Sequence, residues 1–182
     1  MRISIKSSTF AAEKDRSMTK EEQYKELVAQ VAAVVAGETD RIANMANVAA
    51  ILHEAFGFWW TGFYRVEPIV ESQKSKVERG ELVLGPFQGP LACTRIPYGK
   101  GVCGTAWAKN ETVIVPNVHE FAGHIACSSE SNSEIVVPVR LNDKVIAVLD
   151  IDSKEFNTFD ETDKKYLEEI VNYLSGGTQT LQ

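Results

Sequence analysis

The stretch Glu134–Ser153, EIVVPVRLNDKVIAVLDIDS, decides the fold. Two apolar runs of strand length, EIVVPVRL and KVIAVLDID, are joined by Asn142-Asp143, a pair that readily takes the positive φ a two-residue hairpin turn demands. Both faces of VIAVLDI are apolar, so this strand is read as central and covered on both sides. Asp150 and Asp152 are two apart and share one face, with Ile146 and Val148 as their same-face predecessors. Glu134 opens the partner strand. Three acids near one sheet end repel one another, so stability alone does not account for them. Two carboxylates at the mouth of a core suit an ammonium group or a metal ion; the plainer reading is that they begin the turn into Ser153-Lys154.

Working outward, FWWTGFYRV reads as a strand, the charged EPIVESQKSKVERGE as a solvated hairpin loop or insertion, and GELVLGPF as the returning strand. Cys93 to Ile96 is expected to form a third short strand, stopped by Pro97. Gly101 to Lys109 reads as a short helix and TVIVP as a strand, followed by a long loop to Ser133 with one helical turn near His119. On the N-terminal side, Tyr24, Leu27, Val28, Val31 and Val35 recur at helical spacing from Lys20. Gly37 stops that helix, and Thr39 or Asp40 caps a second one. The second helix carries Ile42, Met45, Val48, Ala49 and Leu52 on one face and ends near Gly57. A last amphipathic helix follows FNTFD, runs to about Leu174 and ends at Gly176-Gly177. Helices at both ends of an antiparallel sheet define an α+β domain over residues 19–182, preceded by a disordered extension over 1–18.

The chain has 182 residues, of which 44% are hydrophobic, enough for one domain with its own core. A net charge of −6 without any Lys/Arg run disfavours nucleic-acid binding. No segment approaches the roughly 18 consecutive apolar residues of a membrane span. The N-terminal segment lacks the apolar stretch of a secretory signal, so a reducing, cytoplasmic setting is expected, in which lasting structural disulfides are rare.

Three cysteines, Cys93, Cys103 and Cys127, fall within 35 residues, in the segment richest in turn residues. An odd number cannot pair completely within one chain, whereas a redox cycle needs an attacking and a resolving thiol and can use a third. Cys127 lies in a polar loop (CSSESNSE), and Cys93 follows a Gly-Pro turn. Cys103 sits in a glycine-rich turn at a helix start, where backbone N–H groups favour a thiolate. Two other readings stand beside this one: inert buried thiols, and a zinc site, which the spacings disfavour because they contain neither C-x-x-C nor paired histidines. Gly99–Gly104 spells G-x-G-x-x-G, but the surrounding strands look antiparallel, so a dinucleotide fold is not expected. In the aromatic cluster, alternation places Trp60 and Tyr64 on one face, where they can line a pocket; an apolar, polarizable wall with a polar rim suits a methionine-like ligand. His53, at a helix end, is read as structural.

Taken together, WWTGFY, LVLGPFQGPLACTRIPYGKGVCGTAW, VPNVHEF, HIACSSESNSEIVVPV and VLDIDS resemble the free methionine-(R)-sulfoxide reductases, which are single GAF domains. The resemblance covers roughly Glu21 to Leu174. It implies that Cys127 is the nucleophile, that Cys93 resolves it, and that Cys103 is a second resolving or auxiliary thiol. It also implies a substrate pocket built from Trp60, Tyr64, Glu134, Asp150 and Asp152. The activity so implied reduces free methionine (R)-S-oxide through a sulfenic acid and an intramolecular disulfide, with thioredoxin as reductant and no metal or organic cofactor. The resemblance further suggests a dimer. The rival reading is a GAF module that senses a small molecule or an oxidant without turnover.

Overall fold

The computed structural model describes residues 18–68, 80–123, 125 and 129–175. All but Met18 of the expected disordered extension, the core of the charged insertion, Gly176-Gly177 and Cys127 lie outside these residues. The chain order is α1 (Lys20–Val35), α2 (Arg41–Phe56), β1 (Trp60–Glu67), β2 (Glu81–Gln88), β3 (Arg95–Pro97), α3 (Gly101–Lys109), β4 (Val113–Val115), β5 (Ser133–Leu141), β6 (Lys144–Ser153) and α4 (Glu161–Asn172). The strands form one antiparallel sheet in the order β3-β2-β1-β6-β5-β4. The α+β expectation holds, and β6 is central, as its two apolar faces required.

Local chemistry sets the helix ends. Thr19 and Glu22 form a reciprocal capping box at α1, and Asp40 accepts from the amides of Ile42 and Ala43 at α2. Gly57 takes a left-handed C-cap with φ of 65°, a conformation that costs glycine nothing. Asp160 and Asp163 form a second capping box at α4. Asp163 also ties the terminal helices together: it is buried and accepts from Tyr24 Oη at 2.8 Å and Lys20 Nζ at 2.5 Å. Tyr24 stacks on Tyr166 with ring centroids 5.4 Å apart.

Alternation along the strands splits the interior in two. Phe63, Ile135, Val137, Val139, Ala147, Leu149 and Ile151 face a cluster with α1, α2 and α4. Trp60, Tyr64, Leu82, Val136 and Val148 face the other way, onto α3 and the loops. All three long helices therefore cover one face of the sheet, which leaves the second face for a pocket.

Four details depart from the sequence expectation. Ile42 does not join the buried face of α2; it is exposed in the first turn, and Asn44 is buried in that helix instead. Ile146 does not share the face of Val148. A bulge places Arg140 opposite Val145 and Val139 opposite Ala147, so Ile146 is the extra residue and turns toward the helical cluster. The third strand begins at Arg95, leaving Cys93 in the loop before it, and Pro97 ends the strand from within. A proline is tolerated there because β3 is an edge strand with one neighbour.

Gly62 controls how the site side of β1 packs. A Cβ there would lie 2.4 Å from Phe87 Cβ and 2.5 Å from the Trp60 ring. Trp60 and Phe87 stack with centroids 5.4 Å apart, over the space Gly62 leaves. Gly62→Ala should therefore displace the indole and destabilise the protein by about 1–3 kcal/mol. A denaturant midpoint equal to that of the unsubstituted protein would show that the ring can move aside freely.

Candidate active site

The second face of the sheet, the start of α3 and two loops enclose one pocket. Trp60 and Tyr64 form its wall, with ring centroids 5.9 Å apart. Leu91, Ala92 and Ile125 lie at its edge, and Leu91 is 89% exposed. Cys103, Ser131, Glu134, Asp150 and Asp152 supply its polar lining. All five residues expected to bind substrate thus meet in one place. Strand register is the reason: Glu134 pairs with Asp152 and Val136 with Asp150, so the acids occupy adjacent rungs on one face.

Glu134 and Asp150 are buried and Asp152 is half-buried, close enough together for like charges to repel. Burial, reinforced by neighbouring carboxylates, pushes Glu134 and Asp150 well above the usual carboxylate range. Asp152 is pushed up to about 6, chiefly by burial, while a hydrogen bond from Ser131 opposes the rise. Hydrogen bonds join Asp150 to Cys103 and to Glu134, yet Asp150 Oδ1 is buried with no partner. An acceptor in that state carries a desolvation penalty that an N–H donor entering the pocket would relieve.

Cys103 is not the activated thiol that its place at a helix start suggested. It is buried, and its Sγ lies 4.0 Å from Glu134 Oε1. Burial and the charges of Asp150 and Glu134 drive its pKa up, so the acids outweigh the favourable helix N-terminus. Cys103, Glu134 and Asp150 each place one donor atom within 4.8 Å of the others. That set could close on a cation, an organic ammonium included. The glycines of the G-x-G-x-x-G string serve packing. Gly99 and Gly101 take positive φ, and a Cβ on Gly104 would lie 2.6 Å from the Pro97 carbonyl oxygen. His119 pairs with Asn132 at 2.9 Å and does not line the pocket.

Both aromatic walls also hold the loop that carries Cys93. Trp60 Nε1 donates to the Pro90 carbonyl at 3.2 Å, and Tyr64 Oη donates to the Cys93 carbonyl at 3.0 Å. Cys93 is disulfide-bonded, while Cys103 is a free thiol. Sequence reasoning missed Ser131 and Leu91. Ser131 is one of four serines in CSSESNSE, and only the fold shows that it lines the pocket.

The GAF domain family model matches residues 42–176. The chain is 53% identical to GAF domain-containing protein A of Dictyostelium discoideum, over 86% of this chain and 92% of that protein. It is 45% identical to the free methionine-R-sulfoxide reductase of Escherichia coli, over 86% of this chain and 89% of that one. Among solved structures, the free methionine-R-sulfoxide reductase of Neisseria meningitidis in complex with its substrate is 52% identical. It superposes with a TM-score of 0.78 over 87% of this chain and 90% of that one.

Burying the acids opposes folding, and the pH dependence carries a definite sign. For Asp152, the stability gained by holding a proton is complete below its ordinary pKa of 3.8 and is lost as pH rises to about 6. That gap corresponds to about 3 kcal/mol. Asp152→Asn should therefore raise the stability of the unliganded protein by about 1–3 kcal/mol at pH 7.5, and the gain should shrink toward zero near pH 4. Denaturant unfolding across that range measures it, and a gain independent of pH would contradict the burial account.

Proposed function

The chain belongs to the free methionine-R-sulfoxide reductases, a GAF-domain family, and we propose that Cys127, Cys93 and the acid-lined pocket carry out that reduction on free methionine (R)-S-oxide. The observation that carries this reading is the cluster of buried Glu134 and Asp150 and half-buried Asp152 beside the Trp60–Tyr64 wall, with Asp150 Oδ1 unpartnered. An apolar wall accepts the thioether end of the substrate. A cluster of acids accepts its ammonium group, whose positive charge draws protons off Asp150 and Asp152 and satisfies the orphaned oxygen.

Asp150 and Asp152 pair with the ammonium group. Glu134, kept protonated by burial, donates to the sulfoxide oxygen and polarises the S–O bond. Cys127 thiolate attacks the sulfur; the oxygen passes to Cys127 Sγ, and methionine leaves with its sulfur reduced. Cys127 is then a sulfenic acid. Cys93 Sγ attacks it, an S–S bond forms, the S–O bond breaks, and the hydroxide departs as water with the proton of the Cys93 thiol. The bonded state of Cys93, with Cys103 free, supports a cycle in which Cys93 resolves and Cys103 is auxiliary. A thioredoxin-type dithiol restores the thiols by exchange. We assign the reaction to the cytoplasm, a reducing setting that keeps the thiols in play, and to a homodimer, as the family resemblance suggests. Among the described residues no helix is long and apolar enough to cross a membrane. The domain we assign spans residues 19–182, with 1–18 as a disordered extension.

Two experiments test the chemistry. Cys127→Ser should abolish reduction, because a hydroxyl does not replace the soft thiolate; multiple turnover in that variant would place the nucleophile elsewhere. Cys93→Ser should release one methionine per site and then stall as a sulfenic acid, detectable with a sulfenic-acid trapping reagent. Absence of that burst would remove Cys93 from resolution.

A third experiment tests the pocket. N-acetylation removes the ammonium group and leaves buried carboxyls unpaired, a loss of about 2–5 kcal/mol. Free methionine sulfoxide should be reduced at least 30-fold faster than its N-acetyl form, read as kcat/KM. Equal rates on the two would sink this assignment of the acids.

A further inference from the structure

The loop over residues 89–94 has no ladder partner, yet it carries the thiol assigned to resolution. Its shape is held by a few bonds from neighbouring elements. Leu84 N donates to Thr94 O at 3.0 Å on one side of Cys93. Trp60 Nε1 reaches the Pro90 carbonyl on the other. Tyr64 Oη reaches the carbonyl of Cys93 itself at 3.0 Å. Cys93 is half-buried against the same cluster as both aromatic rings.

We propose that Tyr64, besides walling the pocket, is a positioning residue for the resolving thiol: its hydroxyl, bonded to the Cys93 carbonyl, holds that residue's backbone where Cys93 Sγ meets the oxidised nucleophile. The inference rests on the reading above that Cys93 resolves. Tyr64 is 1% exposed, so its hydroxyl has no bulk water to exchange for this bond. Burial, with the acids behind it, raises its pKa far above the usual tyrosine value, and it remains a donor across the working pH range. Attack on a sulfenic acid is an intramolecular displacement, and its rate scales with the fraction of time the thiol is held in line. The same holding raises the effective concentration of Cys93 in the disulfide equilibrium. The balance there is one protein disulfide plus two glutathione thiols giving two protein thiols plus glutathione disulfide.

Tyr64→Phe keeps the ring and its stacking on Trp60 and removes only the hydroxyl. Losing one such bond should lower the equilibrium constant for closing the Cys93 disulfide against glutathione by about two- to ten-fold. The lifetime of the sulfenic acid after a single turnover should lengthen by a similar factor, whatever the variant does to methionine release. A closing equilibrium equal to that of the unsubstituted protein would overturn the proposal. If the unsubstituted protein forms a sulfenic acid that Cys93 never resolves, the functional reading itself fails, and that result is separable because it appears before any change at Tyr64.

Discussion

Three carboxyl groups gathered at one end of the central hairpin, Glu134 and Asp150 buried and Asp152 half-buried, are the constraint on which the rest of the molecule depends. Their burial follows from register: antiparallel pairing sets Glu134 opposite Asp152, with Asp150 one rung along the same face. Left alone, such a cluster opposes folding, because each charged form is desolvated and repels the others. The fold tolerates it by holding protons there, by a hydrogen bond from Ser131, and by a large apolar cluster on the opposite face. The site is thereby poised for a cation and ill suited to an empty state, which is the condition under which binding energy goes into recognising one charged group.

The helices make that tolerance workable. α1, α2 and α4 pack on a single face of the sheet, and the Tyr24–Asp163–Lys20 network joins the first helix to the last. This arrangement closes the chain around β5 and β6 from behind. The strands can then present acids forward without losing their place, while the site face is covered only by the short α3 and by loops.

Much of this was legible in the sequence because it rests on period and turn chemistry. Lys20–Val35 reads directly from helical spacing, and Asn142-Asp143 takes the positive φ values that a tight hairpin needs. Trp60 and Tyr64, and likewise Asp150 and Asp152, share a face because strand parity is local. What escaped depends on contacts distant in sequence. The bulge at Ile146 breaks parity for reasons of pairing, not of composition. Ile42 has the spacing of the buried face of α2, yet in the first turn of that helix it is exposed. Cys103 reads as activated from its own helix start, and only the fold buries it, with Asp150 and Glu134 against it, to reverse that. Gly62 reads as an ordinary strand glycine until Trp60 and Phe87 are seen to occupy the space above it.

The one-sided placement of the long helices has a consequence for how this protein can diverge. Residues such as Leu27, Val48 and Leu167 answer to packing alone, whereas the side chain of Leu91, exposed at the pocket edge, has few packing obligations. The larger share of durability thus lies on the helical side of the sheet, and selectivity lies at the rim of the other. A lineage could exchange edge residues to admit a differently shaped amino acid while its melting behaviour stayed fixed. It could equally harden for heat through the helices without retuning what it recognises.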